Sequence, residues 1–310
     1  MDDSLVRFGL RSMTPPPSSG SSAGYAKEHH TMTPRCLLFF PGDRPDMYPK
    51  AIASGADQVC MDLEDAVAPE SKEEARAAAV SVLERTDFDP ARFVLRINSP
   101  VTPEGERDLA ALSEIPTLHG APLTVMIPKL DSPEGLDHVR SKITETGGVA
   151  RLIPIVETAK GLSRVEELAS ADSVSDILFG GLDLSIELGA ALEWEPLLYA
   201  RSRTVHAARL GGVGAIDMPF FDVSDEEGLS EAAQRVRRLG FNGKAAIHPS
   251  HVAAVQQVFS PSEAEVVRAR RVMEADHAGR GVFMLDGVMV DRPGILAARD
   301  IVARADAPQR

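Results

Sequence analysis

The 310 residues are enough for one α/β barrel or two smaller domains, and 44% hydrophobic with 25% charged residues is ordinary for a globular protein. A formal net charge of -13 argues against nucleic-acid or anionic-membrane partners, and no apolar stretch approaches membrane-spanning length. The two cysteines, Cys36 and Cys60, sit at predicted strand positions and fit buried thiols in a reducing cytoplasm better than a disulfide framework or a metal cluster.

Residues 1–33 lack the apolar core of a secretory signal and carry the low-complexity run Pro15-Pro16-Pro17-Ser18-Ser19-Gly20-Ser21-Ser22, so they read as a disordered tail. From Arg35 onward, eight short apolar runs alternate with helix-like segments, at 36–40, 58–61, 93–97, 123–127, 152–156, 177–179, 213–216 and 245–247. Between them, Ser71-Lys72-Glu73-Glu74 and Ser224-Asp225-Glu226-Glu227 read as capping boxes, and Ser132-Pro133 places proline at a first helical position. Leu229, Ala232, Ala233 and Val236 follow the spacing of a helix with one buried face.

Eight such units with continuous apolar strands predict an α/β fold, a (β/α)₈ TIM barrel over 34–275. An open doubly wound sheet is the alternative, but no G-x-G-x-x-G follows the first strand. Another cap at Ser260-Pro261-Ser262-Glu263, a hairpin over 281–291 and a last helix from Pro293 exceed what a barrel needs. The extension over 276–310 is therefore expected to act as a lid or an oligomer contact.

A barrel of this kind carries its site where strand carboxyl ends meet the following loops. Those ends supply Pro41-Gly42-Asp43-Arg44, Asp62-Leu63-Glu64-Asp65, Arg96 with Asn98, Lys129, Glu157, Asp183, Asp217 and His248. Glu157 and Asp183, 26 positions apart, are expected at the carboxyl ends of neighbouring strands five and six. There they could hold a hard divalent cation with positions left open for substrate; singly, each could equally cap the following helix. The acidic cluster Asp62, Glu64 and Asp65 could ligate the cation directly, accept from metal-bound water, which is the preferred reading of Glu64 and Asp65, or cap the helix near Glu70. Arg96 is shaped to grip a carboxylate with two parallel bonds, or to pair structurally with Glu64 or Asp65. His248 and His251 are weak grounds for zinc; a loop histidine beside a ligand is the better reading of His248.

Several stretches resemble the HpcH/HpaI aldolase/citrate lyase family, in its citrate-lyase-β-like CoA-ester lyase branch. They are Phe39-Phe40-Pro41-Gly42-Asp43-Arg44-Pro45, Met61-Asp62-Leu63-Glu64-Asp65-Ala66-Val67-Ala68-Pro69, Leu95-Arg96-Ile97-Asn98, Ile155-Val156-Glu157-Thr158-Ala159-Lys160-Gly161 and Gly240-Phe241-Asn242-Gly243-Lys244-Ala245-Ala246-Ile247-His248-Pro249. The resemblance implies a Mg²⁺-dependent barrel, with Mn²⁺ as substitute, that cleaves or forms a carbon–carbon bond in a 3-hydroxyacyl thioester such as malyl-CoA or citramalyl-CoA. The products would be acetyl- or propionyl-CoA and a 2-oxo acid, glyoxylate or pyruvate. By matching motif, Glu157 and Asp183 become metal ligands and Arg96 the carboxylate clamp. Phe39, Arg44, Lys50 and the loop Ile247-His248-Pro249 lie along the CoA or substrate path. The resemblance also implies a homotrimer or hexamer, in which Asp291 reaches a neighbouring copy's site as acid/base; Asp286 competes for that role. A citrate lyase β subunit acting on an acyl-carrier-protein thioester, and a malyl-CoA thioesterase, are the alternatives.

Overall fold

The computed structural model describes residues 33–115, 122–276 and 281–306. The expected tail over 1–33 thus lies, apart from Thr33, outside the described residues. Eight parallel strands close into a barrel in sequence order: β1 (Cys36–Pro41), β2 (Gln58–Asp62), β3 (Phe93–Arg96), β4 (Pro122–Ile127), β5 (Val149–Val156), β6 (Asp176–Phe179), β7 (Gly214–Asp217) and β8 (Gly243–Ala246). Closure comes from β8 pairing back onto β1.

The apolar runs are continuous because both faces of every strand are covered, and alternation divides each run between two cores. Leu37, Cys60, Val94, Met126, Ile153, Ile155, Leu178, Ile216 and Ala245 point inward and fill the barrel, with Phe39 packed on top. Their neighbours Leu38, Val59, Met61, Phe93, Leu95, Leu152 and Ile177 point outward into the larger core beneath the helices. Continuing the inward parity by two residues past this filled interior brings Asp62, Arg96, Glu157 and Gly180 to the mouth. Both cysteines are buried free thiols, and burial pushes Cys36 up to about 12.

The helix starts differ in detail from expectation. Pro133 opens the helix Pro133–Glu145 as predicted. Ser71 makes no capping bond, because Pro69 has already begun a 3₁₀ turn whose last residue is Ser71. In the second expected box the cap is Asp225, which accepts from the Gly228 amide at 2.8 Å, while Ser224 is held by Asp222 instead. The third shifts by two residues: Ser262 and Glu265 exchange bonds reciprocally, the Ser262 amide donating to Glu265 at 2.7 Å and the Glu265 amide to the Ser262 hydroxyl at 3.2 Å.

Asp217 is not at the mouth. Its parity is outward, and it is fully buried beneath the helix Trp194–Gly211, where Arg201 Nε (3.0 Å) and Lys244 Nζ (2.5 Å) each donate to one carboxylate oxygen. A buried carboxylate with two cations on it is a structural knot, and such groups are kept only when paired.

Beyond the barrel, the helix Glu263–Asp276 buries Ala269 and Val272 not in the barrel core but in a second cluster with Val290, Ile295 and Ala298. This cluster unites that helix with the hairpin of β9 (Phe283–Leu285) and β10 (Val288–Val290) and the helix Arg292–Asp306. The hairpin turn is Asp286-Gly287, both at positive φ (51° and 76°), the pairing that two-residue turns of this hand require. Among the described residues no helix is long and apolar enough to cross a membrane.

Candidate active site

The mouth is organised by Asp62, the last residue of β2. Its carboxylate accepts from the backbone amides of Glu64 (2.8 Å) and Ala66 (2.9 Å), which folds the loop back over the strand end. The same two oxygens each take a bond of 2.6 Å from Arg96, Nε to one and Nη2 to the other. Arg96 therefore makes a two-bond grip on Asp62, a partner not expected from the sequence, and the expected ion pairs with Glu64 and Asp65 are present beside it. Parity explains the grip: Asp62 and Arg96 are register partners on adjacent strands and both point inward. Asp62 is the residue the sequence reading undervalued, and the inward alternation Cys60, Asp62 is the signal that marks it.

Arg96 Nη1 is left facing Glu64 at 3.2 Å and Asp65 at 3.8 Å, and the guanidinium lies 5.1 Å from the Phe39 ring centre. Burial works against the charge, but bonding to Asp62 outweighs it and raises the Arg96 pKa above its ordinary value. Glu64 is buried and shifted upward by that burial, against the opposing pull of Arg96 and Lys129. Asp65 is exposed. Lys72 ties the whole loop down, donating to the Leu63 carbonyl (2.7 Å), the Glu64 carbonyl (2.6 Å) and Asn98 Oδ1 (2.9 Å).

Glu157, the first residue after β5, is buried, and its Oε1 accepts from the Lys129 amide at 2.8 Å. Asp183 is not on a strand: β6 stops at Phe179, and Gly180-Gly181 turn the chain into the helix Gly181–Leu188, whose first turn carries Asp183. A helix amino end is a favourable place for a carboxylate, and from there the Asp183 charge still acts on Glu157. Burial first, then Glu64, then Asp183 push the Glu157 carboxyl up to about 8. Gly180 makes the approach feasible, since a Cβ there would stand 2.6 Å from Glu157 Cβ and 2.7 Å from Oε2.

Among the described residues no group of three acidic, histidine or cysteine side chains converges as a metal cage. Magnesium does not require one, because it takes one or two carboxylates and completes its shell with water and substrate oxygens. Two carboxylates acting on each other, one of them buried with its pKa pushed upward, fit that ion. Structural zinc would call for a set of nitrogen or sulfur ligands, and His248 and His251, with ring centres 6.4 Å apart, belong to no group of three possible ligands among the described residues.

Barrel closure sets the remaining predicted residues around one edge of the mouth. Because β8 lies against β1, the exposed loop Ile247-His248-Pro249 is a neighbour of the loop after β1. That loop presents Arg44 on the surface and the following helix Tyr48–Ala53 presents Lys50, both paired with Asp46, at 3.0 Å and 3.4 Å. Asp291 stands apart: among the described residues no hydrogen bond or ion pair joins it to the mouth, and its Oδ1 accepts from the Gly294 amide at 3.3 Å. Asp286 is occupied in the hairpin turn, bound through both oxygens by Arg271 at 2.7 and 2.8 Å.

Known proteins resemble this chain along nearly its whole length. The family model for HpcH/HpaI aldolase/citrate lyase matches residues 35–249, and that for C–C bond lyases of the TIM-barrel fold matches 214–307. The citrate lyase subunit beta of Leuconostoc mesenteroides subsp. cremoris is 32% identical, covering 88% of this chain and 93% of its own. The mitochondrial citramalyl-CoA lyase of Homo sapiens is also 32% identical, over 91% of this chain and 89% of its own. Among solved structures, the CitE protein of Mycobacterium tuberculosis in complex with magnesium, acetoacetate and coenzyme A superposes with a TM-score of 0.75 at 34% identity, covering 87% of this chain and 97% of that one. The chain belongs to the HpcH/HpaI aldolase/citrate lyase family and is an oxo-acid lyase of its citrate lyase β and CoA-ester lyase branch.

Proposed function

We propose that this lyase cleaves or forms a 3-hydroxyacyl-CoA thioester such as malyl-CoA or citramalyl-CoA, interconverting it with acetyl- or propionyl-CoA and glyoxylate or pyruvate. The observation that carries the reading is the convergence of Glu157, Asp183 and Arg96 on one barrel mouth: two carboxylates for a cation beside a guanidinium with an N–H edge left over. Glu157 and Asp183 would hold Mg²⁺, or Mn²⁺ in its place. When bound, the ion supplies Lewis acidity and a template for the oxo-acid oxygens.

The protein's own groups then divide the work. Arg96, fixed by Asp62 and resting on Phe39, turns Nη1 to the carboxylate of the oxo acid. Glu64 and Asp65 would accept from water carried by the cation. Arg44 and Lys50 attract the phosphates of CoA, and the Ile247-His248-Pro249 loop borders the same path. In cleavage the hydroxyl proton leaves to a base as the carbon–carbon bond breaks and the oxo group forms, and Asp291 gives a proton to the enolate carbon of the departing acyl-CoA; in condensation Asp291 takes the α-proton and the new alkoxide is protonated. Among the described residues no hydrogen bond or ion pair joins Asp291 to the mouth of its own copy, which supports assigning the acid/base to a neighbouring copy in a homotrimer or hexamer.

Two experiments test this. With Mg²⁺ present, the pure protein should turn over at least one of malyl-, citramalyl-, methylmalyl- and citryl-CoA, read as acyl-CoA and 2-oxo acid by chromatography. No turnover of any of them sinks the substrate reading and returns the choice to an acyl-carrier-protein thioester, and release of free CoA without an oxo acid marks a thioesterase. Separately, Arg96→Ala and Asp291→Asn chains should each be inactive but recover activity when co-expressed, to about a quarter of wild type for random mixing of copies. An inactive mixture whose copies are shown to have assembled together rejects the shared site.

A further inference from the structure

Lys129 touches the site from both ends, and the functional reading above gives it no task. It follows β4 with φ at 54°, a left-handed conformation taken by only three non-glycine residues among those described. The other two, Ser173 and Asp286, are in turns. Such a backbone disfavours any L side chain, and glycine is the ordinary occupant. A lysine held there indicates that both the turn and the side chain are used.

The turn aims the Lys129 amide at Glu157 Oε1, 2.8 Å away. With Oε1 so engaged, Glu157 Oε2 lies on the Gly180 side, toward the helix turn that carries Asp183. At the other end, Lys129 Nζ donates to Glu64 Oε1 at 2.7 Å and stands 3.8 Å from Asp65. Glu64 Oε2 has no hydrogen-bond donor and faces Arg96 Nη1 at 3.2 Å. Glu64 is thus shared by two cations, and without Lys129 its whole charge would fall on the one N–H edge of Arg96 that Asp62 leaves over.

We propose that Lys129 is a positioning residue with two separable roles: its amide orients Glu157 for the divalent cation, and its ammonium holds Glu64 back so that Arg96 Nη1 stays available to the oxo-acid carboxylate. This rests on the assignment of Glu157 and Arg96 made above, so its test reads binding by calorimetry and needs no turnover.

Lys129→Gly and Lys129→Met keep the left-handed turn accessible and remove the ammonium, whereas Lys129→Val disfavours the turn because its side chain is β-branched. Mg²⁺ alone is titrated first. Gly and Met variants should bind it as tightly as wild type or more so, since a neighbouring cation is gone, and the Val variant about tenfold more weakly. Equal Mg²⁺ affinity in the Val and Gly variants overturns the amide's role. Pyruvate and glyoxylate are then titrated at saturating Mg²⁺. The Gly and Met variants should lose about tenfold in oxo-acid affinity, and Lys129→Arg should restore most of it. Unchanged affinity in the Met variant, or no oxo-acid binding to the wild type, overturns the ammonium's role. Circular dichroism melting of each variant accompanies the titrations, and Lys129→Gly, which relieves the backbone, carries the comparison if the Val variant does not fold: normal Mg²⁺ binding with weakened pyruvate binding supports the split, and the loss of both overturns it.

Discussion

Replacing Glu157 by glutamine is expected to abolish measurable Mg²⁺ binding and to lower turnover by about a thousandfold or more, the scale of the several kcal/mol a Lewis-acid metal contributes to a transition state. The substitution is close to isosteric. Its carbonyl oxygen still accepts the Lys129 amide bond that Glu157 Oε1 takes at 2.8 Å, so the loop after β4 stays in place. Stability should not fall, and the sign can be worked out. Burial, Glu64 and Asp183 raise the Glu157 carboxyl from 4.5 to about 8 in the folded chain. A carboxyl raised on folding costs stability at every pH above its unfolded value, and the cost grows until the folded value is passed. Metal-free wild type should accordingly lose stability between about pH 4.5 and pH 8 through this group, and Glu157→Gln should lack that component. Calorimetric Mg²⁺ titration, kcat and urea unfolding at two pH values read all three effects. A glutamine variant that binds Mg²⁺ like wild type removes Glu157 from the metal site.

Arg96→Ala should stop turnover while leaving Mg²⁺ binding intact, because the guanidinium bonds to Asp62 and faces Glu64 and Asp65, and among the described residues no hydrogen bond or ion pair joins it to Glu157 or Asp183. It should also destabilise the chain. Asp62 is almost fully buried and receives both Arg96 bonds at 2.6 Å. Removing one partner of such a pair leaves a buried charge uncompensated, at a cost of about 3–5 kcal/mol. Arg96→Lys separates the two consequences. A lysine keeps the charge beside Asp62 but cannot hold Asp62 with a fork and still offer a free N–H edge. It should therefore fold near wild-type stability, with a 2-oxo-acid KM raised about tenfold or more in the condensation direction. Full lyase activity in purified Arg96→Ala would falsify the clamp.

Much of this was readable from residue order. The eight apolar runs map onto the eight strands with ends displaced by at most a few residues, because a strand buried on both faces can be built from little else. Glu157 and Arg96 were legible as polar residues ending such runs. Asp217 ended one too, yet it serves the packing of β7 against the helix Trp194–Gly211. The difference is one of parity: Glu157 continues the inward series of Ile153 and Ile155, whereas Asp217 follows inward-facing Ile216 and so points out. Asp183 failed differently. The doublet Gly180-Gly181 broke the strand early and a short helix turn carried the carboxylate, a local choice that the run of apolar residues conceals. Lys129 is legible as a strand-end residue but its task is not, since a left-handed φ at a lysine contradicts its own propensity and is imposed by its surroundings.

The order of residues by itself determined the strand count, the parallel barrel and the set of polar groups delivered to its carboxyl end, because hydrophobic burial acts on periodicity and needs no knowledge of partners. Only the tertiary structure decided how those groups pair: Arg96 gives its two-bond grip to Asp62 and its remaining edge to Glu64, Asp46 lies between Arg44 and Lys50, and Asp291 caps its own helix beside Val290 of the C-terminal cluster. Pairing depends on distances between residues tens of positions apart, which strand register and barrel closure set. A charge finds its partner across the sheet, where chain order does not reach.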